Sequence, residues 1–337
     1  MTRVWILAMA AGAATVGGCN SAAAQAGPAP APGDLGDGTA LLAPITHKNL
    51  TLLPVVATGP TPTDDYLTLD EGMAEKLIRI GESGDGAVNQ LEITNRSAKP
   101  LFVMAGEVMV GGKQDRIVGK NTVIPAKTTQ MLPVFCVEHG RWSGRRAEFS
   151  TAGALAHTEL RGKASFDGQG EVWEEVKTKN AKRRTENSTD TYRQVAAQQA
   201  GGSLASWETA FERGLAALPA ADRARVVGYV VALNGEVVAL DAFESPLLFG
   251  KLEKKLKRSY IAEAIDEPVV AKAPVPGPAD VRAFVARAEA APAQKAYESE
   301  AAETVNLVGA DAASTRVMKK GAPAAAKPVF RSMKRRR

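Results

Sequence analysis

From residue 87 to 138 apolar and polar positions alternate in short runs, broken by turn residues about every eight to twelve positions, which is the pattern of antiparallel strands with one buried face. Ala87 to Thr94 puts Leu91 and Ile93 on one side of a strand and Gln90, Glu92 and Thr94 on the other. Asn95 to Pro100 is a turn, and Leu101 to Val110 returns as an apolar strand in which Gly106 predicts a bulge or a close backbone approach. Gly111-Gly112-Lys113-Gln114 turns again. Strands Arg116 to Ile124 and Gln130 to Glu138 follow, joined by Pro125 to Thr129. Upstream, Leu41 to Ala57 reads as a first strand. Thr68 and Glu71 have the spacing of a capping box and open a short helix.

Beyond residue 145 the period lengthens to that of helices. They are expected over Glu171 to Glu186, over 191–199 behind a cap at Ser188 or Thr189, and from Ser206, where Trp207, Phe211, Leu215 and Leu218 form a core stripe. Asn234-Gly235 is the strongest two-residue hairpin signal; it joins Arg225–Leu233 to Glu236–Phe243 and would pair Tyr229 with Leu240 and Gly228 with Asp241. An amphipathic helix (Leu247 to Ile265), a connection (Pro268 to Pro278), a helix (Ala279 to Ala302) and a short strand pair within Thr304 to Met318 complete the pattern. The expected class is α+β: an antiparallel β-sandwich-like core with an attached helical region and a C-terminal hairpin. It forms a single β-rich domain over 41–318 with a helical insertion at about 168–220.

The ends change the picture. Residues 1–24 read as an export signal: Arg3 starts it, and Val4 to Gly18 is apolar but too short to span a bilayer comfortably. Val16-Gly17-Gly18-Cys19 resembles a lipoprotein box with Cys19 as the lipidated residue and membrane anchor, while Ala22-Ala23-Ala24 fits ordinary signal peptidase. A Pro/Ala/Gly tether over 25–40 would hold the domain off a surface. The expected location is therefore extracytoplasmic, in the periplasm or cell envelope. The formal charge of +5 comes from 42 basic and 37 acidic residues. Eight of the basic ones, and no acid, lie from Lys319 onward; taking them away leaves −3 on the rest. Residues 319–337 thus read as a basic disordered tail able to touch anionic surfaces, without the aromatic interleaving of specific nucleic-acid binding. Either cleavage removes Cys19 from the folded domain and leaves Cys136 without an intramolecular disulfide partner.

Candidate chemistry concentrates between Leu101 and Trp142, where polar side chains are threaded through strand-forming sequence. A carboxylate among aliphatic side chains must be paired or hydrogen-bonded, so it marks either an internal network or a site. Glu107 and Glu138 are candidate acid/base groups, and Cys136, two positions from Glu138 on one strand face, is a candidate nucleophile with Arg141, His139 or His157 to activate it. Lys113, Gln114, Arg116, Arg141 and Trp142 are candidate binders of a small polar ligand, with Glu107 paired to Arg141 or Lys113. No pair of Cys, His or acidic residues has zinc-type spacing, and no nucleotide, hydrolase or metalloprotease motif is present, so neither a metal nor a cofactor is expected.

Gly106-Glu107, Gly112-Lys113-Gln114-x-Arg116, Ile124-Pro125 and Pro133-Val134-x-Cys136-Val137-Glu138-x-Gly140-Arg141-Trp142 together resemble a bacterial domain family. That family is named for its association with ADP-ribosylglycohydrolases and rhodanese/phosphatase-superfamily proteins. Gln169-Gly170-Glu171-Val172-Trp173, Leu240-Asp241-x-Phe243-x-Ser245-Pro246 and Leu256-x-x-Ser259-Tyr260 carry the similarity on, over about residues 45 to 265. The resemblance implies a β-rich fold with a helical part, no settled activity, and a suggested tie to ADP-ribose or nucleotide metabolism. The export signal departs from that tie, because extracytoplasmic space holds little NAD or ADP-ribose. Three functional expectations result: an exported ligand-binding or scaffold module presenting the Glu/Gln/Arg cluster, a hydrolase-like enzyme using Glu107 and Glu138 on a phosphate- or ribose-containing substrate, and an envelope-tethered structural protein.

Overall fold

The computed structural model describes residues 33–83, 87–141, 148–323 and 326–336. The N-terminal segment opens with strands β1 (Thr39–Leu41), β2 (Ile45–His47), β3 (Leu50–Ala57) and β4 (Leu67–Thr68). Helix α1 (Leu69–Ala74) starts on the expected capping box: the Glu71 amide donates to Thr68 Oγ1 at 3.4 Å, and the Thr68 amide to Glu71 Oε2 at 2.9 Å. Next come β5 (Ile78–Glu82), β6 (Gln90–Asn95), β7 (Leu101–Val103), β8 (Glu107–Gly111), β9 (Arg116–Val118), β10 (Thr122–Ile124), β11 (Thr128–Cys136) and β12 (Phe149–Leu155). The helical stretch holds α2 (Thr158–Phe166), α3 (Gln169–Arg183), α4 (Arg193–Ala200), α5 (Ala205–Ala216) and the single turn α6 (Ala220–Arg223). The hairpin β13 (Val226–Leu233) and β14 (Glu236–Phe243) leads to α7 (Pro246–Ala264), α8 (Pro278–Glu289) and strands β15 (Ala293–Glu298), β16 (Ala302–Val308), β17 (Ala312–Lys319) and β18 (Phe330–Arg335).

Three sheets result. One is nine-stranded, in the order β1-β3-β13-β14-β18-β17-β16-β15 with β2 also on β3. The others are β10-β7-β4 and β12-β8-β9-β11-β6-β5. All named strand pairs are antiparallel except β4 with β7. The two smaller sheets enclose one apolar core, in which Leu67, Leu101, Val103 and Ile124 meet Ile80, Leu91, Ile93, Met109, Val118 and Leu132. That is the sandwich-like part of an α+β fold. On the far side of the six-stranded sheet, Val108, Ile117 and Val137 pack against α2, α3 and α4. The nine-stranded sheet buries one face under α8 through Val281 and Phe284. Its other face lies under α5, α7 and the small sandwich, through Trp207, Phe211, Tyr260, Phe102 and Met104.

The structure corrects several sequence expectations. Leu101 to Val110 is two strands in different sheets, because Gly106 sits at φ +98° and turns the chain. Arg116 to Ile124 likewise divides between β9 and β10. The hairpin has both turn residues at positive φ, Asn234 at +48° and Gly235 at +86°. A bulge between Val231 and Ala232 then slips the register by one, so Tyr229 faces Asp241 and Gly228 faces Ala242. The helix expected to reach Ala302 ends at Glu289, since Pro292 cannot continue it, and the chain returns as the edge strand β15. The basic tail is not a disordered end as far as it is described. Phe330–Arg335 is an internal strand, paired with β14 on one side and β17 on the other. Phe330 and Met333, three positions apart, face opposite sides of the sheet and both are buried, so this strand is covered on both faces.

Candidate functional site

The turn that separates β7 from β8 positions the first candidate. The Met104 amide donates to Glu107 Oε2 at 3.1 Å and the Ala105 amide to Asn121 Oδ1 at 2.8 Å, which fixes Glu107 beneath the turn at 1% exposure. Its partner is neither Arg141 nor Lys113 but Lys255 of α7, whose Nζ lies 2.8 Å from Glu107 Oε1 and 2.7 Å from Asp70 Oδ2. Burial pushes the Glu107 carboxyl up, with Lys255 opposing. Burial works against the Lys255 charge, and the two carboxylates outweigh it, so its pKa is raised and it stays cationic.

Glu138 belongs to a second, separate network. Arg141 grips it bidentately, Nε to Oε1 at 2.9 Å and Nη2 to Oε2 at 2.6 Å, and the Asp115 amide adds a bond at 3.0 Å. Burial would raise Glu138; Arg141 and the Asp115 amide more than reverse that, and the carboxyl is held below its ordinary range. Asp115, with a fully buried side chain, accepts from the Gly111 amide, Thr191 Oγ1 and both Nε and Nη2 of Arg193. Arg141 Nη1 also donates to the Gly112 carbonyl at 2.9 Å. The double glycine is therefore clamped from below rather than opened around a ligand. Gln114 Nε2 donates to the His139 carbonyl, the Lys113 amide donates to Glu82 Oε1, and fully buried Arg116 donates from Nη1 to the Gln114 carbonyl. Trp142 and Cys19 lie outside the described residues.

Cys136 is fully buried, and Gln169 clasps its peptide on both sides, accepting from the amide and donating to the carbonyl at 2.8 Å each. Burial pushes its thiol up, away from a nucleophile's range. The histidines stand elsewhere. His139 meets Trp173 edge-on, and His157 lies between Tyr192 and Glu175. The Tyr192 hydroxyl already accepts from the His157 amide and Gln199 Nε2, so its own proton goes to His157 Nδ1; this leaves Nε2–H for Glu175. Burial takes the His157 pKa down to about 3, which keeps the ring neutral.

A third network escaped the sequence reading. Asp241 of β14 is fully buried and accepts from Arg161 Nη1 and Nη2 at 3.0 Å each, Tyr260 at 2.7 Å, Ser332 at 2.5 Å and Lys334 at 3.4 Å. Arg161 reaches it by crossing Gly106, where an added Cβ would lie 2.3 Å from Arg161 Cγ. The signal was present: an aspartate in an otherwise apolar strand, LDAF, requires a buried partner.

A family model, the ARG and Rhodanese-Phosphatase-superfamily-associated Protein domain, matches residues 38–327. The chain belongs to this family. No curated protein and no solved structure matches it. The domain's match runs past the motifs quoted above and takes in α8 and the strands up to β17.

Clefts lie elsewhere in this family member. One of about 560 Å³ opens between α5, α7 and β13. Others of about 410, 380 and 340 Å³ are bounded by Glu244 and Arg316, by Glu236 and Arg287, and by Glu171 and Glu263 respectively. None of the four is lined by Glu107, Gln114, Cys136, Glu138 or Arg141. Among the described residues no group of three or more His, Cys, Asp or Glu is arranged to hold a metal ion, and no helix is long and apolar enough to cross a membrane.

Proposed function

We propose that this family member is an exported binding module without catalytic use of Glu107, Glu138 and Cys136. One observation carries the reading. These three side chains, at 1%, 4% and 0% exposure, sit in internal networks and face none of the four clefts. An acid or base must come within hydrogen-bond reach of the proton it moves, and a nucleophile within reach of its electrophile. Side chains already bonded on all sides brace the fold instead. The leader-like sequence over 1–24 and the tether behind it support export, and Cys19 supports a lipid anchor.

Two measurements on the full chain test this. In envelope fractionation, the wild type is expected with the membranes and Cys19→Ser in the soluble envelope fraction; retention in the cytoplasm refutes export. With ADP-ribose, ATP and a phosphomonoester as substrates, neither the wild type nor Glu138→Gln is expected to release phosphate. Turnover that disappears in a folded Glu138→Gln or Cys136→Ala would restore the hydrolase reading.

A further inference from the structure

Arg116 of β9 is fully buried, and its Nη1 donates to the Gln114 carbonyl at 2.8 Å. Nε and Nη2, the side-on edge of the guanidinium, have no partner among the described residues. Those two N–H groups form the fork that grips a two-oxygen anion bidentately. A buried charge without a counter-ion is costly, so a fork turned inward with nothing to hold points to an anion. Glu82 also has a buried oxygen without a partner, Oε2, but the Lys113 amide holds its Oε1 at 2.8 Å and the two groups do not meet.

The side chain directly across from Arg116 is Cys136. β11 and β9 pair Cys136 with Arg116 and Val134 with Val118 in antiparallel register. Directly opposed residues share a face of the sheet, with Cβ atoms about 4.5–5.5 Å apart. Here it is the face that turns Val118 and Val134 into the sandwich core. Arg116 is also the charge that works against burial on the Cys136 thiol. The thiol is deep but not remote: its Sγ lies 3.8 Å from the carbonyl of Val88, a residue 48% exposed. That cover stops a bulky thiol reagent, whereas a hydroperoxide is little larger than water. Two usual ends of thiol oxidation are closed. The other cysteine of the chain, Cys19, lies in the leader-like segment, and the Val137 amide that would close a sulfenamide donates to the Asp115 carbonyl at 3.0 Å.

We infer that Cys136 is an oxidation site whose product, a sulfinate, pairs with Arg116. The sulfur attacks one oxygen of a hydroperoxide; an S–O bond forms, the O–O bond breaks, and water or an alcohol leaves with the thiol proton. A second hydroperoxide oxidises the sulfenic acid in the same way, each step taking two electrons from sulfur and giving them to the peroxide. The sulfinic acid then loses its proton to solvent, and its two oxygens meet Nε–H and Nη2–H of Arg116. A buried, protonated thiol reacts slowly, so the site records sustained exposure rather than a pulse.

Treatment of the folded full chain with hydrogen peroxide tests this. Tandem mass spectrometry is expected to find two added oxygen atoms on Cys136. The treated chain should then melt a few degrees higher, measured against Cys136→Ala treated alike, which carries any effect of methionine oxidation. An ordinary core thiol gives the opposite result, because a new charge among apolar side chains destabilises. Cys136→Asp places a two-oxygen anion there without peroxide; it should melt above Cys136→Asn, and that order should reverse in an Arg116→Met background. A folded chain whose Cys136 takes up no oxygen, an oxidised chain that melts no higher on that baseline, or a Cys136→Asp variant no more stable than Cys136→Asn overturns the assignment.

Discussion

Asp241→Asn exchanges the hub of a fully buried charge network for a neutral group of the same shape. Five donors converge on the two carboxylate oxygens: two N–H groups of Arg161 at 3.0 Å, Tyr260, Ser332 and, at 3.4 Å, Lys334. An asparagine offers one oxygen and turns an NH₂ toward the remaining donors. Arg161 and Lys334, both under 5% exposed, are then left as buried cations without a counter-ion. Breaking a buried pair from one side costs about 3–5 kcal/mol, a large part of the roughly 5–15 kcal/mol that stabilises a typical domain. At about 2–4 °C per kcal/mol, the melting temperature drops by on the order of 10 °C. The pH dependence has a definite sign. Burial would raise the Asp241 carboxyl, but Arg161 and Lys334 hold it well below the ordinary carboxylate range. A native pKa below the unfolded one gives stability that is complete above the ordinary aspartate value of 3.8 and is lost as pH falls below it. The gap between wild type and variant should therefore be full at neutral pH and shrink in acid. Urea unfolding followed by tryptophan fluorescence measures it. The double variant Asp241→Asn/Arg161→Met should recover part of the loss by removing the stranded cation. A penalty under about 1 kcal/mol, or a double variant weaker than the wild type by the full sum of the two single changes, refutes the network as a stabilising unit.

Three further outcomes are expected. Burial, with Arg161 adding to it, takes Lys334 down to about 8. Between that value and the ordinary lysine value of 10.5 the unfolded chain binds the proton more tightly, so stability should climb with pH across this window, and Lys334→Met should flatten the climb in pH-dependent urea melts. Cys136, in a Cys19→Ser background, should resist a thiol reagent such as DTNB in the native state and react once in urea; prompt native labelling contradicts the buried thiol. A chain ending at Pro328 loses β18, which leaves β14 and β17 unpaired in the middle of the large sheet, and it should show no cooperative melting transition by circular dichroism.

Local chemistry was the legible part. Thr68 with Glu71, Asn234-Gly235 and the helical stripe through Trp207 and Phe211 each name their own structure, because capping, positive φ and periodicity act within a few residues. That a carboxylate threaded through apolar strands must be paired was legible too, and Glu107 and Glu138 are inside and paired; Gln114 and Arg116, read as ligand binders, are buried as well. Their partners were not. Glu107 finds Lys255 across 148 positions and Asp241 finds Arg161 across 80, and nothing in a single sequence orders candidate partners at such range. Nearness in sequence favoured Lys113 and Arg141, and so joined two networks that the fold keeps apart. The C-terminal strand was hidden for a different reason: it is buried on both faces and shows no alternation, and the buried Lys334 reads as a solvent-facing charge until Asp241 is placed beside it.

Two buried carboxylates, Glu107 and Asp241, share a physical task. Gly106 of the sandwich lies beneath Arg161 of α2, which reaches Asp241 of the large sheet; Glu107 of the sandwich holds Lys255 of α7. Ser259 of α7 donates to the Ala156 carbonyl behind β12, while Ser299 and Thr304, at β15–β16 of the large sheet, donate to the Val123 and Asn121 carbonyls of the sandwich. Apolar contact alone between two sheets is non-directional and leaves their mutual angle soft. Charge-assisted and hydroxyl bonds at fixed points specify one arrangement, and each leaves a costly orphan if it slips. Glu107 and Asp241, polar residues inside apolar strands, each mark a junction with a helix, α7 and α2 respectively, whereas Glu138 braces the β8–β9 turn. Strand-embedded carboxylates in such a fold should therefore be sought first in the junction, and ligand chemistry in the clefts that the junction leaves open.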